Sequence, residues 1–234
     1  MTTLIVIAKA PVPGRVKTRL SPPFTSAGCA ALAEAALADT LETVLGAASR
    51  QPILALHGAP GGWLPPGFAV IPQIEGGLDD RISAAFAAAA RHAPGPALLI
   101  GMDTPQVGRE LLRPRWDGAD ALIGPACDGG FWALGFRDPD PEQVRQAVRG
   151  VPMSRSDTGS VQLARLRASG LRTRLLPMLR DIDTAADAYA VAKLCPRSGF
   201  ARMLQTTAAS PPWPPRPPSR RAESEAPGGR VTLR

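Results

Sequence analysis

The chain has few cysteines, few aromatic residues and no long apolar run. Its three cysteines, Cys29, Cys127 and Cys195, are isolated and odd in number, which argues against a disulfide framework and a zinc site and fits a reducing compartment. Aromatic residues make up only 5%, so we expect no RNA-binding surface of interleaved basic and aromatic residues. The apolar run at residues 4–8 is too short for a signal peptide or a membrane span. We therefore expect a cytoplasmic protein with no nucleic-acid partner.

Common catalytic and nucleotide-binding signatures are missing too. The sequence contains neither H-E-x-x-H nor G-x-S-x-G, which leaves metalloprotease and serine-hydrolase functions unsupported. A Walker A loop needs glycine directly before Lys-Thr, but Val16 precedes Lys17 and Thr18. No G-x-G-x-x-G follows the first predicted strand. Any phosphate site in this chain must therefore use groups other than a Walker A loop or a G-x-G-x-x-G turn.

The charge is uneven along the chain. The net charge is +7, and the five arginines and two glutamates of residues 210–234 contribute +3 of it. The remaining +4 suits small anionic ligands as well as it suits DNA. Residues 210–234 also contain seven prolines and no periodic apolar pattern. We predict one domain over residues 1–200 and a disordered Pro/Arg-rich tail over 201–234.

Strand and helix patterns alternate along the first 194 residues. The predicted strands are 4–8, 52–56, 68–71, 97–100, 119–126, 130–136 and 172–176. The predicted helices are 26–48, 78–92, 109–112, 141–148, 158–169 and 184–194. This alternation predicts a single three-layer α/β domain with a mostly parallel sheet, although the strand order cannot be derived from it.

A basic loop follows the first strand. In "AKAPVPGRVKTRL", residues 8–20, Arg15, Lys17 and Arg19 alternate and would project to one side of an extended segment. Lys9 lies nearby at the end of the strand, and the prolines stiffen the backbone. A stiff cationic loop at the carboxyl end of a strand suits a phosphate-bearing ligand. The alternative is a solvated basic loop.

Three aspartates are candidate site residues. Asp103 comes directly after the strand 97–100, at the edge where open α/β sheets bind ligands, and is a candidate ligand for a divalent cation. Capping of a following helix is the alternative. Asp183 is a candidate second metal ligand, although Thr184 with Asp187 also resembles a capping box.

The third aspartate, Asp128, precedes Gly129 and Gly130 between two predicted strands. A hairpin turn accounts for Asp-Gly-Gly without any chemistry. Glycines that let the backbone approach a sugar or a base fit equally well. Both interpretations stay open at this point.

Four stretches in this order and spacing resemble a known bacterial family. They are the basic loop, "GMDTP", "GPACDGGFWALG" and "DIDTAADA". They resemble the GT-A glycosyltransferases, some linked to arsenosugar biosynthesis, of the nucleotide-diphospho-sugar transferase superfamily. They are also similar to the guanylyltransferases that make molybdenum-cofactor dinucleotide and activated phospholactate. The resemblance spans about residues 4–194.

The resemblance implies a GT-A fold and a set of site residues. It implies that the nucleotide and its phosphates contact Lys9, Gly14, Arg15, Lys17, Arg19 and Arg81. It implies that Asp103 is a metal ligand and that the donor or acceptor faces Asp128, Gly129, Gly130, Phe131 and Trp132. Phe131 and Trp132 stand where the family more usually has two tyrosines.

We therefore expect a glycosyltransferase that uses a nucleoside diphosphate sugar, a small-molecule acceptor and Mg²⁺ or Mn²⁺. Asp103 and Asp183 would hold the ion, and Lys17 with Arg15 would neutralise the departing diphosphate. Asp128 is the first candidate for a catalytic base. The alternatives are a nucleotidyltransferase that releases pyrophosphate from a nucleoside triphosphate and a non-catalytic nucleotide sensor.

Overall fold

The computed structural model describes residues 1–209, which contain one seven-stranded sheet. Its strands are β1 (Thr3–Lys9), β2 (Ile53–His57), β3 (Ala69–Pro72), β4 (Ala97–Ile100), β5 (Ala121–Pro125), β6 (Phe131–Phe136) and β7 (Thr173–Leu175). Their spatial order is β3-β2-β1-β4-β6-β5-β7. Only β6 runs antiparallel to its neighbours, β4 and β5, and the other described pairs are parallel. The prediction of a mostly parallel sheet is confirmed.

Helices cover both faces of this sheet. They are α1 (Ser26–Ala47), α2 (Leu78–His92), α3 (Pro141–Val148), α4 (Thr158–Ala168), α5 (Ala185–Leu194) and α6 (Gly199–Ala209). Side chains of β1 alternate between the faces, as the strand period requires. Leu4 and Val6 belong to the buried cluster that includes residues of α1, and Ile5 belongs to the cluster on the other face, which includes residues of α2, α3 and α4. The three-layer α/β/α prediction is therefore confirmed.

Capping residues mark several helix starts where the sequence predicted them. Thr25 accepts a hydrogen bond from the Gly28 backbone at 3.1 Å and begins α1. Thr184 and Asp187 form a capping box at the start of α5, which is the arrangement predicted as an alternative role for this segment. Among residues 1–209, none of the helices is long and apolar enough to cross a bilayer.

The helix predicted at 109–112 does not form. These residues make turns instead, because a stretch between Gly108 and Pro114 is too short to nucleate a helix in isolation. Contacts with α1 fix the position of this segment. Leu112 is buried, and the Arg113 side chain donates to the Ala47 carbonyl at 2.9 Å.

The predicted domain boundary at residue 200 lies within a packed helix. It falls inside α6, where Phe200 and Leu204 are buried against α1 and α5. Asp39 of α1 accepts hydrogen bonds from the backbone of Gly199 and Phe200 at 2.9 and 2.7 Å and so caps α6. The first residues of the predicted tail are thus part of the domain. The Pro/Arg-rich segment 210–234 lies outside the described residues.

The topology fixes where a ligand can bind. From β1 the sheet extends to β2 and β3 on one side and to β4 on the other. Chain connections leave the carboxyl ends of β1 and β4 in opposite directions, which opens a crevice between them. The basic loop follows β1 and Asp103 follows β4, so the two predicted ends of the site meet at this crevice.

Candidate functional site

A cleft of about 780 Å³ lies at the carboxyl edge of β1 and β4. It brings together most of the predicted site residues. Those that line it are Lys9, Arg15, Lys17, Arg19, Arg81, Asp103, Asp128, Gly130, Phe131, Trp132 and Asp183. Gly14 and Gly129 are not part of the lining. Gly14 has a φ of 76°, so it serves to bend the basic loop.

Lys17 lies at the centre of the polar end of the cleft. Its Nζ is 2.9 Å from Asp103 Oδ1 and 3.5 Å from Asp183 Oδ1, and it donates to the Ile182 carbonyl. The Lys17 side chain is only 11% exposed. Arg19, which is exposed, approaches the other oxygen of Asp183 at 3.6 Å. The basic loop and the carboxylates therefore meet directly.

The carboxylates hold Lys17 charged. Burial alone would lower the pKa of its ammonium, but Asp103, with Asp183 and Asp181, outweighs burial and raises the pKa above its usual value. The backbone of Lys17 has a φ of 48°, a left-handed conformation that is strained for a residue with a side chain. Strain of this kind persists where surrounding contacts fix it and is typical of functional sites.

Asp181 is a cleft residue that the sequence analysis did not select. Burial, with the nearby charges of Asp103 and Asp128, raises its pKa to about 8, although Lys17 acts in the opposite direction. Its Oδ1 is buried and has no hydrogen-bond partner in the described part of the chain. The sequence signal that could have identified Asp181 as a cleft residue is the alternation of acidic and apolar residues in Asp-Ile-Asp, residues 181–183. Since Ile182 is buried, the flanking aspartates both project away from the core.

The turn that carries Asp128 is fixed by its two glycines. The hairpin prediction is confirmed, because residues 127–130 connect the antiparallel strands β5 and β6. Gly129 has a φ of 90°, and a Cβ there would lie 1.8 Å from the Ser156 carbonyl oxygen. Asp128 Oδ1 accepts from the Gly130 backbone at 2.8 Å. Gly129 is therefore required for packing against residue 156, whereas Gly130 borders the cleft.

Phe131 and Trp132 lie on opposite faces of β6. Phe131 is half-buried on the α2 face, and Trp132 packs on the α1 face with 2% exposure. The Trp132 indole donates to the Pro177 carbonyl at 2.9 Å. Consecutive strand residues cannot share a face, so Trp132 is a core residue at the cleft floor. Phe131 is the aromatic side chain available to a ligand.

The other end of the cleft is cationic. Arg81 contacts Gln73 there, with 3.4 Å between Arg81 Nη1 and Gln73 Oε1. Within the described part of the chain, Lys9, Arg15 and Arg81 form no ion pair with a carboxylate. The cleft thus separates carboxylates beside β4 from uncompensated cations beside β1 and β2. An anion bound there would supply the missing charge.

The carboxylates fit a divalent cation that arrives with a ligand. Across residues 1–209, no group of three or more acidic, histidine or cysteine side chains is arranged to hold a metal by itself. Asp103 and Asp183 nevertheless converge on one cationic point, the Lys17 ammonium. Mg²⁺ is usually held by one or two carboxylates together with substrate phosphates. Asp181, whose charge also acts on Lys17, has a buried Oδ1 with no hydrogen-bond partner among the described residues.

Solved structures share this fold. A protein from Desulfovibrio desulfuricans G20, provisionally assigned as a nucleotide-diphospho-sugar transferase, has a TM-score of 0.78 and 24% identity over 89% of this chain and 96% of that one. A CMP:2-keto-3-deoxy-manno-octonic acid synthetase in complex with CTP has a TM-score of 0.51 and 12% identity, over 84% and 98%. Rv0371C of Mycobacterium tuberculosis H37Rv, in complex with manganese, has a TM-score of 0.50 and 20% identity, over 82% and 99%. At these identities the similarity shows the fold, which agrees with the predicted GT-A type.

Sequence comparison identifies the family. No curated protein matches the chain significantly. Residues 31–155 match the model of DUF2064, which is described as an uncharacterized protein conserved in bacteria. That match extends from α1 to the loop before α4 and includes Asp103 and Asp128. This chain therefore belongs to the DUF2064 family.

Proposed function

We propose that this protein is a cytoplasmic transferase that takes a sugar from a nucleoside diphosphate sugar and requires Mg²⁺ or Mn²⁺. The observation that carries the proposal is the division of one cleft into a carboxylate end and a cationic end. A metal-bound diphosphate matches both ends. The similarity of the fold to a nucleotide-diphospho-sugar transferase and to a manganese complex supports this assignment.

The basic loop provides the electrostatic part of catalysis. Breaking the bond between sugar and phosphate leaves negative charge on the nucleoside diphosphate. Lys17 is held charged inside the cleft, and Arg15 borders the same space without a carboxylate partner. Both can therefore stabilise the departing phosphates. A divalent ion held by Asp103 and Asp183 would add positive charge at the same oxygens.

Asp128 is the proposed general base. Its Oδ1 is occupied by the Gly130 backbone, which fixes the carboxylate at the rim of the cleft. Its Oδ2 has no protein partner among the described residues and can accept a proton from an acceptor hydroxyl. Half-buried Phe131 directly follows this turn as the first residue of β6 and offers an apolar surface to the acceptor.

Nucleotidyl transfer is the second candidate. The fold is similar to a synthetase in complex with CTP, and Lys9 lines the cleft as a further cation beside Lys17 and Arg15. In that reaction the cations would stabilise the attacked α-phosphate while pyrophosphate leaves. Product analysis separates the two: free nucleoside diphosphate from a sugar donor supports the first, and pyrophosphate from a triphosphate supports the second.

A thermal-shift panel tests the proposal without knowledge of the acceptor. Nucleotides and nucleotide sugars are screened with and without Mg²⁺ or Mn²⁺. A ligand present at about 100 times its Kd stabilises the fold by about 2.7 kcal/mol. We expect a metal-dependent rise in Tm that disappears in Asp103→Asn. The matched control is Asp138→Asn, an exposed aspartate outside the cleft, and no shift with any compound would overturn the proposal.

A further inference from the structure

Gln73, directly after β3, is anchored to the sheet at the cleft floor. Its backbone N–H donates to the Leu56 carbonyl at 3.0 Å. Its side-chain Nε2 donates to the carbonyls of Ala8 at 2.9 Å and Ala55 at 2.8 Å. These two bonds use both amide hydrogens. The opposite amide orientation would set Oε1 against two carbonyl oxygens, so Oε1 must point away from the strands.

Gln73 Oε1 instead faces Arg81, in the first turn of α2. Arg81 Nη1 lies 3.4 Å from that oxygen. The Arg81 side chain is half-buried and lines the cleft, and its Nε is buried without a hydrogen-bond partner among residues 1–209. A guanidinium partly removed from water with no counter-ion is destabilising. Its unused donors therefore match an acceptor oxygen on a ligand.

We infer that Gln73 is a positioning residue that directs the Arg81 guanidinium at an oxygen of the bound nucleotide. This inference rests on the proposed function. Both side chains lie on the β2 side of β1, away from Asp103 after β4. The contact is therefore separate from the carboxylate end. The ligand oxygen belongs either to a phosphate or to the nucleoside, since the same donors recognise both.

A double-mutant cycle tests this role. Gln73→Met, Arg81→Ala and the double variant are titrated by calorimetry with the four common ribonucleoside triphosphates and their diphosphates, each with Mg²⁺. Loss of a charge-assisted hydrogen bond predicts that Arg81→Ala weakens the tightest nucleotide by roughly 10- to 100-fold. We expect Gln73→Met to weaken it by about 3- to 10-fold in the wild-type background. In the Arg81→Ala background the same change should have less than about a twofold effect.

A control separates positioning from structural support. Gln106 also donates to one backbone carbonyl, that of Arg180 at 2.7 Å, but lies outside the cleft. Gln106→Met should therefore leave nucleotide affinity unchanged even if it lowers Tm. Gln73→Asn, with an amide one methylene shorter, replaces Gln73→Met if that variant does not fold, and the same coupling to Arg81 is expected.

The outcomes distinguish this inference from the proposed function. If the losses from Gln73→Met and Arg81→Ala simply add, Gln73 supports the sheet only, and the inference fails while the nucleotide site stands. If none of the nucleotides binds the wild type, both fail. A pyrophosphate titration identifies the oxygen: weakening by Arg81→Ala assigns it to a phosphate, and no effect on bound pyrophosphate assigns it to the nucleoside. Either assignment agrees with the inference when the coupling is present.

Discussion

Lys17 connects the two halves of the cleft. Its ammonium contacts Asp103 and Asp183, and its backbone is held in a left-handed conformation. A buried cation among carboxylates is stable only while it remains paired. In the nucleotide-free protein Lys17 thus neutralises the oxygens that would otherwise attract a metal ion. A phosphate group entering the cleft offers the ammonium a new partner.

Replacing Lys17 should therefore change metal binding in the absence of nucleotide. In Lys17→Met the carboxylates lose their cation, so we expect Mn²⁺ to bind about tenfold more tightly or better. Titration followed by the EPR signal of free Mn²⁺ measures this directly. Lys193→Met, at an exposed position of α5, is the control. Unchanged or weaker Mn²⁺ binding in Lys17→Met would contradict the interpretation of Lys17 as the ion that neutralises this site.

The raised pKa of Asp181 leads us to expect that the free energy of unfolding depends on pH. Its pKa is about 8 in the fold and about 4 in an unfolded chain, so between these pH values the native state keeps a proton that unfolding releases. Stability from this group is therefore lost as pH rises from about 4 to about 8, by at most about 1.4 kcal/mol per pH unit. Melting curves of the metal-free protein should show a flatter pH profile for Asp181→Asn. A profile parallel to that of the wild type would exclude the proposed burial of this carboxyl.

At the scale of elements, close backbone contacts position the turn between β5 and β6. The Gly159 N–H donates to the Gly129 carbonyl at 2.7 Å, so the start of α4 holds the turn that carries Asp128. This arrangement makes the carboxylate a rigid part of the rim. It also leaves no room for a side chain at position 129 in this turn.

Gly129→Ala tests this intolerance. The positive φ and the clash with the Ser156 backbone should destabilise the protein by about 3 kcal/mol or more, as measured by urea unfolding. Gly62→Ala is the matched control, because a Cβ at Gly62 meets no atom within 4 Å and its φ is not positive. Equal stability of the two variants would show that the turn is not held in this way.

The helix α6 supplies a second prediction at this scale. Phe200 is fully buried between α1 and α5, so Phe200→Ala should cost about 3–5 kcal/mol of unfolding free energy. Gln205→Ala, on the exposed side of the same helix, should stay within about 0.5 kcal/mol of wild type. Chemical denaturation compares them. Similar values for both would place the domain boundary before α6 after all.

For the whole molecule, local sequence patterns predicted most helices and strands but not which strands pair with each other. The apolar runs of β1 and β4, the capping residues of α1 and α5 and the Asp-Gly-Gly hairpin are local signals, and the structure contains all of them. The strand order and the antiparallel direction of β6 depend on pairing between distant segments, which no local pattern encodes. The helix α6 follows Pro196 and a short loop. It was not predicted because its residues were grouped with the proline-rich segment after it.

The same distinction applies to the cleft. The basic loop and Asp103 could be predicted because each lies at the end of a recognisable strand. The contact between Gly129 and Ser156 and the burial of Asp181 arise from packing between separate loops. The contact has no signature within a window of neighbouring residues, and the alternation in Asp-Ile-Asp indicates the direction of the Asp181 side chain but not its burial. Phe131 and Trp132 were both expected at the pocket and both line it, but the alternation of side chains in β6 places Trp132 in the core at the cleft floor and leaves Phe131 facing the ligand space.

A crystal structure with Mn²⁺ and the nucleotide selected by the thermal-shift panel is the most direct test of the central claim. We predict an anomalous difference peak for Mn²⁺ between the carboxylates of Asp103 and Asp183. We also predict phosphate oxygens within hydrogen-bond distance of Lys17 and Arg15. A nucleotide bound elsewhere on the protein, or one whose phosphates lie in the cleft with no manganese beside Asp103, would contradict the account.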